Sequence, residues 1–145
     1  MTALQRTASA TWNGTVEAGQ GQMSATSGVL SNTPYSFATR FENQSGTNPE
    51  ELIAAAHATC YSMALTLTLN EKGYQPNQVH TQAKCTIESQ NGGFKITKMY
   101  LETQGDVAGL DAENFQKIAQ AAEQICPVSN ALRSNVAIDL KASLA

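Results

Sequence analysis

Three cysteines are the side chains of this sequence that are best suited to redox chemistry. Cys60 lies within a long apolar stretch, Cys126 directly precedes a proline, and Cys85 lies in a segment with the residue pattern of a strand. A cysteine becomes reactive when its surroundings favour the thiolate, and a second thiol within reach can close a disulfide with it. From spacing alone, a redox pair of Cys60 and Cys126 and two ordinary core cysteines are equally supported. Cys85 is predicted to be structural.

Arg40, Glu50 and His57 are further candidates for a site around Cys60. A guanidinium held by a carboxylate keeps its charge and orientation, so it can stabilise a thiolate and polarise a peroxide oxygen. Glu50 is ten residues before Cys60, or about 15 Å along a straight helix. Both serve one site only if Glu50 comes from a partner subunit or Arg40 spans the gap. Taken singly, Arg40 and Glu50 are ordinary surface and helix-start residues, and His57 is predicted to be a core histidine rather than a base.

Composition argues against several other functions. Only 14% of residues are charged, the net charge is −3, and the nine Lys and Arg residues are scattered, so there is no basic patch for nucleic acid or acidic lipid. The absence of Cys-x-x-Cys spacing and the presence of only two histidines argue against a structural zinc site. The first residues lack the apolar run of a signal peptide, so we expect a cytoplasmic protein with reduced thiols.

The elements that must position these side chains begin with predicted strands over residues 7–43, separated by glycine turns. Thr15 and Val16 are assigned to one of these strands, and residues 35–41 alternate as a strand would. Pro49 and the two glutamates behind it then open a helix, which should run to about Lys72 and stop at Gly73.

This helix has no acidic residue, Lys or Arg between residues 52 and 69, and small or apolar side chains occupy every face. Such a helix is buried on all sides or crosses a membrane, and its threonines, serine and His57 argue against the membrane. Its length of about 33 Å is close to the width of a domain of this size. We therefore expect a homodimer with this helix near the interface.

The remaining residues predict a hairpin, a second helix and a closing strand. The strands span residues 79–89 and 94–104 around Asn91-Gly92-Gly93. Asp111 caps a helix with one apolar face that reaches about Cys126, a short helical turn covers residues 128–132, and residues 136–140 form the last strand. The order βββ-α-ββ-α-β predicts a single α+β domain over residues 1–145 with a largely antiparallel sheet.

Several stretches of the sequence closely resemble the osmotically inducible protein C (OsmC) branch of the organic hydroperoxide resistance family. They are SGVL at 27–30, PYSFATR at 34–40, GTNPEEL at 46–52, AAAHATCYSMAL at 54–65 and CPVS at 126–129. The likeness extends from about Trp12 to Leu140. It implies a tightly intertwined homodimer of α+β subunits, each with a long central helix against a strongly curved sheet, and active sites at the subunit interface.

The resemblance also implies a cysteine-based peroxidase without haem, flavin or metal. Cys60 matches the peroxidatic cysteine, Cys126 the resolving cysteine, and Glu50 the site glutamate, whereas Arg40 matches an arginine on the third strand. The implied reaction reduces alkyl or fatty-acid hydroperoxides, and hydrogen peroxide less well, through a Cys60 sulfenic acid and a Cys60–Cys126 disulfide. A dithiol reductant, similar to a lipoylated protein, would reopen the disulfide. Cys85 is outside the family pattern.

Two further expectations complete this interpretation. An apolar funnel around Cys60 would favour organic hydroperoxides, and its candidate lining residues are Phe37, Tyr61, Met63 and Leu65. The alternative function is that of a non-enzymatic dimeric protein that binds an apolar small ligand and uses its cysteines only for packing. A zinc protein ranks third.

Overall fold

The computed structural model describes residues 2–145. They form two compact units, of which the first ends at Pro49 and the second spans Glu50–Ala145. Each unit has its own three-stranded sheet, and the element order is βββ-αα-ββ-αα-β. The predicted α+β class is confirmed, whereas the assignment of residues 1–145 to a single domain stays a prediction.

The first unit is a small antiparallel sheet followed by a short helix. The strands are β1 (Ala8–Asn13), β2 (Gln20–Ala25) and β3 (Thr33–Tyr35), with β2 in the centre. The ring centres of Trp12 on β1 and Tyr35 on β3 lie 5.5 Å apart. The prediction of a strand at Thr15 and Val16 is wrong, because the chain makes a turn between β1 and β2 there.

The strand predicted over residues 35–41 is also wrong beyond Tyr35, because Phe37–Phe41 form the helix α1. Ser36 caps this helix: its hydroxyl accepts from the Thr39 backbone N–H, and its own N–H donates to the Thr39 hydroxyl. That reciprocal pair satisfies two of the donors that a helix start leaves open. Arg40 therefore lies on α1 and not on the third strand.

The second unit begins with the long helix α2 (Pro49–Glu71). Its end satisfies the last carbonyls, because the Tyr74 N–H donates to the Leu69 carbonyl and the Gly73 N–H to the Asn70 carbonyl. Gly73 supports this arrangement with a φ of +88°, in the left-handed region that favours glycine. The predicted helix and its stop at Gly73 are confirmed.

The sheet of the second unit combines antiparallel and parallel pairing. The strands β4 (Gln78–Gln90) and β5 (Gly93–Asp106) form the predicted hairpin, with φ of 50° at Asn91 and 79° at Gly92. β6 (Ala137–Leu144) returns parallel to β5 after the helices α3 (Ala112–Ile125) and α4 (Pro127–Leu132). Antiparallel pairing predominates in the described residues, as predicted, but the sequence pattern did not indicate the parallel pair.

The core of the second unit lies where α2, α3 and this sheet meet. Buried apolar side chains come from all three and from the connection between β5 and α3; they are Tyr61, Ala64, Leu65, Leu69, Leu101, Val107, Leu110, Phe115, Ile118, Ala119, Ala122 and Cys126. The Tyr61 hydroxyl donates to the Ala119 carbonyl at 2.9 Å, which fixes α2 against α3. Because Cys126 is part of this core, the position of its thiol is tied to the packing of α3.

One chain covers only part of α2. Met63 is 72% exposed and Leu67 is 52% exposed, so the burial on all sides that we expected is not met within a single chain. By length and composition α2 could cross a membrane, but its buried apolar side chains belong to the core described above, as in the central helix of a globular domain. Coverage of its open face by a second copy stays a prediction.

Gly105 provides the space that the ring of Phe115 occupies. A methyl group on Gly105 would lie 2.7 Å from two Phe115 ring carbons, and the ring is fully buried. We expect Gly105→Ala to lower the free energy of unfolding by about 1–3 kcal/mol because of this overlap. Chemical denaturation measures it.

Gly93→Ala is the matched control, since a methyl group there meets only the Gln90 carbonyl at 3.9 Å. The second variant, Gly105→Ala with Phe115→Leu, should lose less stability than the sum of the two single changes. Additive losses would show that the ring does not depend on the Gly105 notch.

Candidate functional site

The thiols of Cys60 and Cys126 are in contact. Cys60 lies in the middle of α2, Cys126 lies at the junction of α3 and α4, and their Sγ atoms are 3.4 Å apart, with Cys126 as the donor. Both are free thiols. A disulfide needs about 2.05 Å between the sulfurs, so the pair is reduced but needs only a small approach to close a bond.

The local sequence explains why Cys126 is presented to Cys60. The apolar face of α3 turns towards the core, and Cys126 ends that helix with its N–H donating to the Ala122 carbonyl. Pro127 cannot continue α3 but suits the first position of the next helix, so Cys126 is also the N-cap of α4. This sharp change of direction fixes the thiol at the inner side of the junction.

The two thiols differ in their access to solvent. Cys126 is fully buried, whereas Cys60 is partly exposed. Within this chain, Cys60 is therefore the thiol of the pair that solvent reaches.

The surroundings of Cys60 act on its acidity in opposite directions. Burial raises the pKa of the Cys60 thiol, and the adjacent Cys126 raises it further. The backbone N–H of Val128, in the first turn of α4, donates to the Cys60 sulfur and lowers the pKa. Burial is the largest of these effects, so the thiol of the single chain is less acidic than an ordinary cysteine.

His57 lies one helical turn before Cys60 and is fully buried. Its Nε2 is 2.7 Å from the hydroxyl of Ser129 on α4, and its Nδ1 has no hydrogen-bond partner among residues 2–145. Burial lowers the pKa of His57, with smaller opposing effects from Glu123 and Arg133. The ring is therefore neutral at about pH 7, as expected of a core histidine. The sequence does not predict its bond to Ser129.

A second polar cluster holds α4 from the side of α3. The Arg133 guanidinium donates to both carboxylate oxygens of Glu123, at 2.8 and 3.0 Å, and to the Glu123 carbonyl and the Asn130 side chain, each at 3.0 Å. The Asn130 amide in turn donates to the carbonyl of Gln124. No pattern in the sequence indicates this cluster, because Glu123 lies on α3 and Arg133, ten residues later, is the C-cap of α4.

Arg40 is part of the first unit. Its guanidinium lies over the ring of Phe41, 5.1 Å from the ring centre. It also borders an apolar cleft of about 210 Å³ within that unit. The cleft is lined by Trp12, Val16, Tyr35, Ser36, Phe37, Arg40 and Phe41.

The residues expected to form a funnel at Cys60 are only partly suitable. Phe37 lines the cleft of the first unit, and Met63 is exposed. Tyr61 and Leu65, in contrast, are fully buried in the core, so their expected role in a substrate channel is wrong.

Glu50 lies in the first turn of α2 and is buried. Its carboxylate acts on Cys85 of β4, where burial and the Glu50 charge both raise the pKa of the thiol. A raised pKa keeps Cys85 protonated and unreactive near neutrality. The structure thus places the charge of Glu50 near Cys85, and ten residues of one continuous helix separate Glu50 from Cys60. Within residues 2–145 no three His, Cys, Asp or Glu side chains could jointly hold a metal ion.

Comparison with known proteins places this chain in a family. Residues 42–141 match the family described as OsmC-like protein, a range that contains Glu50, Cys60 and Cys126 but not Arg40. The chain is 45% identical over 136 residues to the peroxiredoxin OsmC of Escherichia coli (strain K12), covering 94% of this chain and 95% of that protein.

Two further relatives belong to the organic hydroperoxide resistance proteins. The protein OhrB of Bacillus subtilis (strain 168) is 36% identical over 101 residues, covering 69% of this chain and 72% of that protein. The crystal structure of an organic hydroperoxide resistance protein from Elizabethkingia anophelis is similar over 100% of both chains, with a TM-score of 0.78 and 29% identity. On its sequence and its fold, the chain belongs to the OsmC-like family.

Proposed function

We propose that this chain is a cysteine-based peroxidase that reduces organic hydroperoxides to alcohols through Cys60 and Cys126. The observation that carries the proposal is the 3.4 Å contact between one partly exposed and one buried free thiol. The names of the relatives, a peroxiredoxin and organic hydroperoxide resistance proteins, support the same activity.

In the first step the Cys60 thiolate attacks the distal oxygen of the hydroperoxide. A sulfur–oxygen bond forms, the oxygen–oxygen bond breaks, and the alkoxide leaves with a proton as the alcohol. Cys60 is oxidised to a sulfenic acid. Its partial exposure gives the peroxide access that buried Cys126 does not have.

In the second step the Cys126 sulfur attacks the Cys60 sulfenic acid. The disulfide forms, hydroxide leaves from Cys60, and the proton of the Cys126 thiol converts it to water. The contact distance of 3.4 Å makes this step intramolecular. A dithiol reductant then reopens the disulfide by thiol–disulfide exchange and leaves oxidised itself; we propose a reductant of the lipoylated-protein class.

Arg40 and Glu50 complete the proposed site. Because burial raises the pKa of Cys60, the reaction needs a cation that favours the thiolate, and the Arg40 guanidinium supplies it. Ten helical residues separate Glu50 from Cys60 in one chain, so either the Glu50 carboxylate that orients Arg40 comes from the second copy of a homodimer, or Arg40 spans the distance between Glu50 and Cys60. The open apolar face of α2 at Met63 and Leu67 supports a homodimer. Each copy is proposed to be a single domain, and the protein is proposed to be cytoplasmic.

Alkyl and fatty-acid hydroperoxides are the proposed substrates, with hydrogen peroxide used less well. The apolar cleft that Arg40 borders supports this choice, because it offers aromatic surface to an alkyl group beside a guanidinium. Hydrogen peroxide has no apolar part that could use this surface.

Substitution of the cysteines separates the two steps. Cys60→Ser should abolish the reduction of cumene hydroperoxide, since no nucleophile remains. Cys126→Ser should consume one equivalent to form the Cys60 sulfenic acid and then fail to turn over. With excess hydroperoxide it should consume a second equivalent and accumulate Cys60 sulfinic acid, because no thiol intercepts the sulfenic acid. Both outcomes are measured by the consumption of peroxide and by the mass of the protein.

Cys85→Ser is the matched control, since its thiol takes no part in the proposed cycle, and it should keep its turnover. Full turnover in Cys60→Ser or in Cys126→Ser would refute the mechanism. Unchanged thiols in the wild-type protein would instead favour the non-enzymatic binding of an apolar ligand.

The charge of Arg40 should appear in the pH dependence of the first step. The reactive thiolate exists above the pKa of Cys60, so the rate rises with pH, and loss of the guanidinium moves this rise to higher pH. We expect Arg40→Gln to react roughly tenfold or more slowly than the wild type near pH 7 and to recover as the pH increases.

Stopped-flow measurement of Cys60 oxidation across the pH range tests this expectation. Arg40→Lys, which keeps the charge, should shift the profile less than Arg40→Gln does. Arg6→Gln removes an exposed arginine of the N-terminal segment and should leave the profile unchanged. An Arg40→Gln profile that coincides with the wild type would remove Arg40 from the site.

A further inference from the structure

Two neighbouring side-chain contacts connect α2 to the segment that begins at Cys126. Cys60 contacts Cys126 through their sulfurs at 3.4 Å, and His57 contacts Ser129 through Nε2 and the hydroxyl at 2.7 Å. His57 is three residues before Cys60, and Ser129 is three residues after Cys126. Side chains three residues apart share one face of a helix, so the two contacts lie side by side.

The backbone of α4 connects the two contacts. Cys126 is the N-cap of α4, Ser129 is in its first turn, and the N–H of Val128 between them donates to the Cys60 sulfur. On the other side Arg133 holds α4 to α3 through Glu123. A displacement of α4 that lengthens the His57–Ser129 bond therefore also moves the Cys126 sulfur and the Val128 N–H relative to Cys60.

The His57–Ser129 contact is buried, and it leaves a buried polar atom whose energetic cost packing alone does not explain. His57 and Ser129 are both fully buried, and the Nδ1 of His57 has no partner among residues 2–145. An apolar side chain would avoid that buried unsatisfied atom. What the imidazole provides and an apolar side chain does not is the bond to Ser129.

We propose that His57 and Ser129 are a positioning pair that holds α4 at the distance from α2 at which Cys126 can close a disulfide with Cys60. The inference extends the proposed function, on which its consequence for peroxide reduction rests. Closing the disulfide shortens the sulfur–sulfur distance from 3.4 Å to about 2.05 Å. The pair keeps this approach small and so favours the disulfide over the separated thiols.

The positioning pair also decides the fate of the oxidised Cys60. A sulfenic acid is consumed either by Cys126, which releases water and forms the disulfide, or by a second hydroperoxide, which adds an oxygen, releases the alcohol and leaves a sulfinic acid. When α4 moves away from α2, attack by Cys126 becomes slower and the second hydroperoxide competes better.

Ser129→Ala tests the proposal directly, because it removes the hydroxyl and leaves no large cavity. We expect the equilibrium between dithiol and disulfide, measured in dithiothreitol redox buffers, to shift roughly tenfold towards the dithiol, equivalent to about 30 mV. We also expect a larger sulfinic fraction than in the wild type after excess cumene hydroperoxide, measured by mass spectrometry.

Three companion variants separate positioning from general stability. Ser129→Thr keeps a hydroxyl and should restore most of the wild-type equilibrium. His57→Leu should match Ser129→Ala, and the double variant should add little, because both remove the same bond. Ser62→Ala is the matched control, since it removes a serine hydroxyl bond from α2 to Thr81 of β4, away from α4, and should leave the equilibrium unchanged.

The outcomes also distinguish this inference from the proposed function. A wild-type equilibrium in Ser129→Ala, even with a lower melting temperature, would overturn the positioning role. The redox buffer contains no peroxide, so a shifted equilibrium in Ser129→Ala supports the positioning pair even if the wild-type protein fails to react with hydroperoxides. That second failure would refute the proposed function alone.

Discussion

The contact between the sulfurs of Cys60 and Cys126 is the constraint on which the rest of the second unit depends. It requires the middle of a long helix to meet the junction of two others inside a core that the chain closes around it. The packing of α3 satisfies this requirement: Phe115 enters the space left by Gly105, and the Tyr61 hydroxyl binds the Ala119 carbonyl. Pro127 then turns the chain, so that buried Cys126 points at partly exposed Cys60.

The same burial that brings the thiols together works against their reactivity. An apolar environment favours the neutral thiol, and the pKa of Cys60 is raised despite the N–H of Val128. A protein that uses this thiol near neutral pH must therefore add positive charge without adding much water. In the proposed dimer, Arg40 provides the charge, and the apolar face of α2 that one chain leaves open becomes part of the protein interior.

Much of the second unit could be predicted from local sequence signals. Pro49 followed by two glutamates, the Asn91-Gly92 turn and the apolar face of α3 each depend on neighbouring residues, and the structure has all three elements. The strand prediction for α1 is wrong because Tyr35, Phe37, Thr39 and Phe41 alternate with smaller or polar residues as in a strand. The Ser36–Thr39 capping pair was the local signal that would have corrected it.

The unforeseen parts of the site depend on contacts between residues distant in the sequence. The parallel pairing of β5 and β6 follows from the crossover through α3 and α4. Likewise, the bond between His57 and Ser129 joins residues 72 positions apart. Neither residue type nor local spacing encodes such pairs. The position of Glu50 near Cys85 is a tertiary effect of the same kind.

The most direct test of the account is the chemical state of the thiols after one equivalent of an organic hydroperoxide. Reduced wild-type protein would be treated with cumene hydroperoxide and analysed by intact mass and peptide mapping. The account predicts the loss of two hydrogens, mapped to a disulfide between Cys60 and Cys126, with Cys85 still reduced. Unmodified thiols, or a disulfide that includes Cys85, would contradict it.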